Sequence, residues 1–369
     1  MKKNLVILGG GHAHLLLLSR LQTITGRGHR AVLVSPSSYH YYSGMAPGML
    51  GGTYRPEDLR FPVEAMARSR GAVFIKDSAV RIDPHAREVL LTSGKRIPYD
   101  ILSCNLGSSV SFRGFSPYGD GLYNVKPVEQ LIKAQQHIKK LSGSPALKIL
   151  VIGGGPAAVE TAGNAWKFVS TRTGVSPTIL LVTGRGLLAR YPSKARSYTL
   201  KSLSARGITI LEGVRVSLIE NRAAVLDNGT VWEWDICFAA TGIRPPDIFL
   251  KSGIATGADR GMLVNHFLQS VSHPDIFGGG DCICFQERPL DKAGVYAVRQ
   301  GPVLLHNICG ALNTTPLRPF FPQKNYLLLF NLGNGKGLFC RGSIVFGGRL
   351  CFLLKHAIDK TFVNKFRDI

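Results

Sequence analysis

Lys148-Ile149-Leu150-Val151-Ile152-Gly153-Gly154-Gly155-Pro156-Ala157-Ala158 repeats a pattern already present at Asn4-Leu5-Val6-Ile7-Leu8-Gly9-Gly10-Gly11-His12-Ala13-His14. The repetition decides the fold. Each copy opens on a short apolar run of the kind that forms a buried parallel strand. Each then enters a glycine turn, where backbone N–H groups can approach a pyrophosphate at the start of a helix. An apolar helix over 15–21 and a strand over 31–35 follow the first turn; a helix from about 159 to 169 and a strand over 178–183 follow the second. A single G-x-G-x-x-G is a weak signal, but two of them, each set between a strand and a helix, are specific. The fold class expected is α/β, with two Rossmann-like dinucleotide-binding domains, the second inserted in the first.

Neither copy is complete. His14 and Ala158 stand where the third glycine belongs, and that position governs how closely helix and strand pack. His14 therefore either packs against the sheet or approaches the ligand. The acid that usually binds a ribose at the end of the second strand is missing from both units, with Ser35 in the first and Thr183 in the second. Arg185 and Arg190 follow Thr183 and suit a 2′-phosphate, so NADPH is expected at least as much as NADH.

A third element adds the flavin. Ile276-Phe277-Gly278-Gly279-Gly280-Asp281 is an apolar strand ending in glycines and an acid; Ala239-Ala240-Thr241-Gly242-Ile243-Arg244-Pro245 precedes it, with an earlier counterpart at Cys104-Asn105-Leu106-Gly107-Ser108. This ordering, over residues 4–310, resembles the pyridine nucleotide–disulfide oxidoreductase superfamily. The resemblance implies bound FAD, with Asp281 on its ribitol, and NAD(P)H as the electron donor. Tyr41-Tyr42-Ser43-Gly44-Met45-Ala46-Pro47-Gly48 is similar to the segment beside the isoalloxazine in type II NADH:quinone dehydrogenases. The stretch from Lys292 to Gly301 is similar to their helix after the flavin aspartate. Both stretches most resemble the flavoprotein module fused to selenide, water dikinase and the demethylphylloquinone reductase branch.

Cofactor contacts are accordingly expected at Gly9, Gly11, His12 and Ser35, and at Val80, Leu106, Gly107, Gly280 and Asp281. The second turn adds Gly153, Gly155, Pro156, Thr183 and Arg185, with Gly242 at the crossing between domains. Glu160 matches a glutamate near the flavin–nicotinamide junction of related dehydrogenases; the plainer alternative is a first-turn carboxylate facing the helix dipole. Tyr42, Pro47, Lys292 and Tyr296 are expected to line the site of a second substrate, a quinone or another small electron acceptor. Two alternatives stay open: a reductase of selenium or sulfur metabolism, and a flavin redox sensor with a vestigial nicotinamide site.

Other chemistries find little footing. The seven cysteines include no C-x-x-x-x-C of the disulfide reductases, and none lies between Cys104 and Cys237, where sulfide:quinone oxidoreductases use one. No metal-ligand spacing is present. Forty-five Lys+Arg against 23 Asp+Glu leave a net charge of +22, which favours anionic partners. No nucleic-acid motif accompanies that charge, so a membrane surface is the expected partner. Met1-Lys2-Lys3 and the apolar run after it read as a first strand rather than a leader, because glycines interrupt the run at Gly9. A cytoplasmic protein, peripheral to the inner face of the cell membrane, is expected.

The FAD domain is placed at 1–112 and 243–310, interrupted by a nucleotide domain at 113–242 and followed by a C-terminal cap at 311–369. In the cap, a hairpin of strands over 326–332 and 342–346 is expected around Gly333-Asn334-Gly335. Leu350, Leu354, Ile358, Phe362 and Phe366 then recur at helical spacing. Such a stripe binds a membrane surface, or packs internally or in a homodimer; on a membrane, Lys355 and Lys365 would need to snorkel.

Overall fold

The computed structural model describes residues 1–110, 120–141 and 147–367. The expected boundary at 112/113 lies outside the described residues.

Two five-stranded, all-parallel sheets carry the molecule, and they share one plan. The first runs Ile276–Gly278, Ile101–Cys104, Asn4–Leu8, Arg30–Ser35, Val73–Lys76. The second runs Leu122–Asn124, Ile236–Ala239, Lys148–Ile152, Thr178–Thr183, Thr209–Glu212. In each, the strand before the glycine turn sits in the middle, buried on both faces, which is why its sequence is a continuous apolar run and not an alternation. Both glycine turns therefore open at the carboxyl ends of central strands, the usual place for a ligand in an open α/β sheet.

The expected strands are present, with helix ends that differ. The first helix stops at Ser19 (Leu15–Ser19) and a separate turn of helix, Gln22–Thr25, follows. The second is longer than expected, Pro156–Thr173: Pro156 occupies its first turn and Gly174 ends it in the left-handed region at φ 71°.

Two C-terminal expectations need correction. The cap sheet has three antiparallel strands: Leu328–Asn331, Gly337–Arg341 and Ile344–Gly348. The middle strand was missed, and Gly342, expected inside a strand, makes the tight turn between the last two at φ 57°. The apolar stripe also divides on the helix Arg349–Asn364. Leu350, Leu354 and Ile358 are exposed while Phe366 is buried. Residues four apart advance about 40° around a helix per step, so five of them wind from one face to another. The buried face instead carries Cys351, Lys355, Asp359 and Val363. Lys355 does not snorkel; its Nζ donates to Asp359 Oδ2 at 2.7 Å and to the Gly44 carbonyl at 2.7 Å.

Candidate functional site

The Gly9–Gly11 turn opens into a cleft of about 430 Å³, within the usual range for ligand sites. Gly9 has φ +82°, and a Cβ there would lie 2.4 Å from the Asn105 carbonyl oxygen. A Cβ on Gly11 would meet the Asn105 side chain at 2.8 Å. The turn and the end of the Ile101–Cys104 strand are thus too close for any side chain, which leaves the backbone bare toward the cleft. Asn105 Nδ2 and His12 Nε2 are buried there without a hydrogen-bond partner. Such atoms cost about 1–3 kcal/mol each when unsatisfied, so a polar occupant would recover that energy.

Asp281 closes the cleft from the end of the Ile276–Gly278 strand, turned inward by Gly280 at φ +74°. Its Oδ2 accepts from Ser108 Oγ at 2.9 Å and pairs with the Lys126 ammonium. Leu106, Gly107, Ser35 and His12 line the same cleft, as expected. Val80 does not: its side chain is exposed and the strand turns Ala79 inward instead. Bare glycines, orphaned amide and imidazole nitrogens and an inward acid are a donor set that fits a dinucleotide such as FAD.

His14 belongs to the scaffold. Its Nδ1–H donates to the Gly9 carbonyl at 2.6 Å, so its Nε2 accepts from Ser103 Oγ–H at 2.8 Å. Burial holds it neutral, with its pKa lowered to about 4. The histidine thereby pins the glycine turn to a neighbouring strand.

The second turn shares the crowded first glycine, with Gly153 at φ +137° and a Cβ there 2.3 Å from the Ala240 carbonyl oxygen, and differs at the other two. A Cβ on Gly155 would meet nothing within 4 Å, whereas Gly154 is crowded by Thr183 Oγ1 at 2.2 Å. Thr183 is buried and donates to the Gly186 carbonyl at 3.3 Å. Arg185 is exposed, and Gly242 has φ +112° with open space around it. Sequence reasoning missed Glu212, which pairs with Thr183 across the sheet and accepts from the Leu187 N–H at 2.6 Å. An acid does stand beside this turn, one strand further along than expected.

The residues expected around a second substrate divide into three groups. Lys292 lines the main cleft, with Nζ 2.6 Å from Asp259, and borders a small adjoining pocket that holds Tyr296. Tyr296 donates to the Gln323 carbonyl at 3.1 Å. Pro47 is buried in the first turn of the short helix Ala46–Leu50 and lines neither pocket; it shapes the backbone. Tyr42 and Glu160 meet a cluster that the sequence did not announce. Tyr42 donates to Asp359 Oδ1 at 3.0 Å, and Asp359 is held by Lys355. Glu160 accepts from the Asn331 N–H at 2.7 Å. Burial raises its pKa to about 7, against the opposing pull of Lys355. Lys126, Asn105, His40, Lys355 and Asp359 were all missed. Two signals were present in the sequence: Asn105 lies within the Cys104–Ser108 motif, and Lys355 and Asp359 stand at i,i+4 spacing.

A profile of the pyridine nucleotide-disulphide oxidoreductase family matches residues 3–306. The chain belongs to this family. The type II NADH:quinone oxidoreductase of Staphylococcus epidermidis is 25% identical over 397 residues, covering 100% of this chain and 97% of the relative. That of Staphylococcus aureus is 24% identical over 405 residues, covering 100% and 97%. Among solved structures, NDH2 from Plasmodium falciparum in complex with NADH superposes with a TM-score of 0.83 at 14% identity, covering 98% of this chain and 96% of that one. The sulfide:quinone oxidoreductase of Aquifex aeolicus gives 0.80 at 21% identity, covering 99% and 92%. These structural likenesses establish a shared fold.

All seven cysteines are free, and all but Cys309 are buried. Burial pushes Cys282 up to about 11 and Cys104 well above the ordinary thiol range, so neither is a thiolate at neutral pH.

Proposed function

We propose that this chain is an FAD-dependent NAD(P)H:quinone oxidoreductase. The observation that carries the proposal is the pairing of two glycine turns, each at the centre of a five-stranded parallel sheet, with the Asp281 carboxylate inside the first cleft. Membership of an oxidoreductase family named for pyridine nucleotides, and relatives named for NADH and quinone, support it. The domain division is proposed in the same terms: an FAD domain, a nucleotide domain inserted before about residue 243, and a cap from about 311.

The chemistry FAD supplies when bound is hydride acceptance from a nicotinamide and electron delivery to a second substrate. The bare Gly9–Gly11 backbone and Asn105 Nδ2 would hold the diphosphate, and Asp281, charge-balanced by Lys126, would bind the ribitol hydroxyls. Gly153, Gly155 and Pro156 present the second turn to the nicotinamide nucleotide, and Arg185 lies free to meet a 2′-phosphate. Lys292 and Tyr296 border the acceptor site. Quinone reduction consumes two protons, and Glu160, half protonated near neutrality, holds one at its carboxyl beside the Tyr42–Asp359–Lys355 chain. With six of its seven cysteines buried and every thiol's pKa pushed up by desolvation, a thiol-based sulfur chemistry has no ready nucleophile among the described residues.

Rapid-mixing reduction of the purified yellow protein by NADH and NADPH, followed by reoxidation with a panel of quinones, sulfide, selenite and ferricyanide, tests the assignment. Fast flavin bleaching and quinone-specific recovery are expected. Absence of bound FAD, or bleaching that neither nucleotide produces, would sink it; the second outcome would favour a redox sensor.

Membrane attachment at the inner face is proposed through the outer face of the C-terminal helix. No helix among the described residues is long and apolar enough to cross a membrane. Leu350, Leu353, Leu354 and Ile358 are nonetheless exposed there, with Ile344 and Phe346 on the neighbouring strand. The +22 charge would draw the protein to anionic lipid and these side chains would then enter it. Serine at Leu350, Leu353 and Ile358 should abolish co-sedimentation with anionic vesicles while leaving FAD content intact. Unchanged sedimentation would remove the role, and a change only in sedimentation velocity would show a homodimer seam instead.

A further inference from the structure

Beside the glycine turn, two histidines meet that neither the fold nor the proposed reaction requires. His12 Nδ1 and His40 Nε2 lie 3.0 Å apart, with rings edge to face at 90° and centroids 4.8 Å apart. One N–H must lie between them. Both side chains line the cleft together with Gly9, Gly10 and Gly11. Phe362 stacks on His12 at 6.1 Å and 8°, Phe61 stacks on His40 at 6.2 Å and 19°, and Tyr42 leans on His12 at 5.3 Å. These aromatic walls fix the pair and keep water from its back.

We propose that His12 and His40 are a positioning pair for the cofactor's diphosphate, taking up one proton from solvent as the dinucleotide enters the cleft. This rests on the cleft being the FAD site. The charged and titratable groups around the pair leave it free to respond. Lys126 is balanced by Asp281, Lys292 by Asp259 and Lys355 by Asp359; Tyr42 is tied to Asp359, and Glu129 stands on the cleft wall. Burial above all keeps both rings neutral, aided at His40 by the neighbouring His12 and at both by what Asp281 leaves of the Lys126 charge, with His12 down to about 3. Two neutral rings carry two protons on four nitrogens. A third proton preserves the N–H···N bond and turns both outer nitrogens, His12 Nε2 and His40 Nδ1, into donors. His12 Nε2 is the buried atom otherwise without a partner. Each negative charge brought within about 4–6 Å strengthens proton binding by roughly ten- to a thousand-fold, and a diphosphate brings two. The second glycine turn has Pro156 and Ala157 after Gly155, so no histidine follows it.

The test titrates cofactor-free, full-length protein with FAD by calorimetry at neutral pH in Pipes and in Tris, whose ionisation enthalpies differ. Dissociation constants from flavin fluorescence quenching across pH 5.5–8.5 complete it. The pair predicts net proton uptake approaching one, affinity that falls by up to about tenfold per pH unit on the alkaline side, and no uptake with riboflavin, which lacks the diphosphate. His12→Gln and His40→Gln should each flatten the pH dependence. Equal apparent enthalpies in the two buffers with constant affinity, the same uptake with riboflavin, or a pH dependence that survives in both variants would overturn it. The buffer and riboflavin comparisons use wild-type protein, so they decide even if a variant fails to fold. Failure of FAD to bind at any pH would fell the FAD assignment itself, an outcome distinct from binding without a proton.

Discussion

The two glycine turns begin alike and end as different objects. The first is closed: Asn105 crowds it, His14 pins it to the neighbouring strand, and a deep cleft with an inward aspartate lies in front. The second is as crowded at its first glycine, where Gly153 meets the Ala240 carbonyl, but open at its third: Gly155 faces empty space, and the threonine at its strand end is turned back onto the turn. A closed turn suits a cofactor that stays bound. An open one suits a nucleotide that must arrive and leave in every cycle. The difference lies in what surrounds the glycines, since the turns themselves are nearly the same sequence.

The sharpest way to break this comparison is to put the same methyl group in both places. Gly11→Ala, at the position equivalent to Gly155, drives a methyl to within 2.8 Å of the Asn105 side chain. Overpacking of this kind costs about 1–3 kcal/mol. Colourless, less stable protein is expected, read from the flavin absorbance per chain and the melting temperature. Gly155→Ala should keep its flavin and its melting point. Equal flavin content in the two variants would erase the distinction.

Next in size is Asp281→Ala, which leaves Lys126 unpaired beside the expected ribitol. FAD affinity should fall about ten- to a hundred-fold, the loss of about 1.5–3 kcal/mol given for a hydrogen bond to a charged group. Equilibrium dialysis of the flavin measures it, and an unchanged constant would detach Asp281 from the cofactor.

Glu160 lies on the helix of the second turn yet faces the Tyr42–Asp359–Lys355 cluster, and its pH behaviour sharpens the division of labour. Its pKa is raised to about 7, so the protonated form is complete well below that and disappears as pH rises through it. Quinone-dependent reoxidation should therefore decline from pH 6 to 8 in the wild type. Glu160→Gln should lower the rate about ten- to a hundred-fold and remove that limb of the profile. Superimposable profiles would make Glu160 a structural carboxylate, held only by Asn331.

The smallest effect is expected at the open turn's rim. Arg185→Ala should weaken NADPH relative to NADH by about tenfold or less, since an exposed arginine pays for its contact in solvent screening. The ratio of kcat/KM for the two nucleotides measures this, and a shift toward NADPH would place the 2′-phosphate elsewhere.

The sequence alone determined the α/β class, both glycine turns, most of the strands and the acid of the first cleft. These are local signals: apolar runs for buried strands, glycines where φ is positive or the backbone is crowded, and an aspartate at a strand end. Tertiary structure decided the fate of everything that depends on a partner far along the chain. His14 became a scaffold residue through Ser103, and Pro47 and Val80 left the expected site because local backbone direction turned them elsewhere. Lys355 and Asp359, on a helix whose apolar spacing promised only a hydrophobic stripe, were drawn inward beneath Tyr42 and Gly44. Lys126 and Asp281, 155 residues apart, became a pair. Residue spacing fixes which side chains share a face. Which faces meet is settled only when the strands pair and close the core, and it was that meeting that assembled the polar clusters around the cleft.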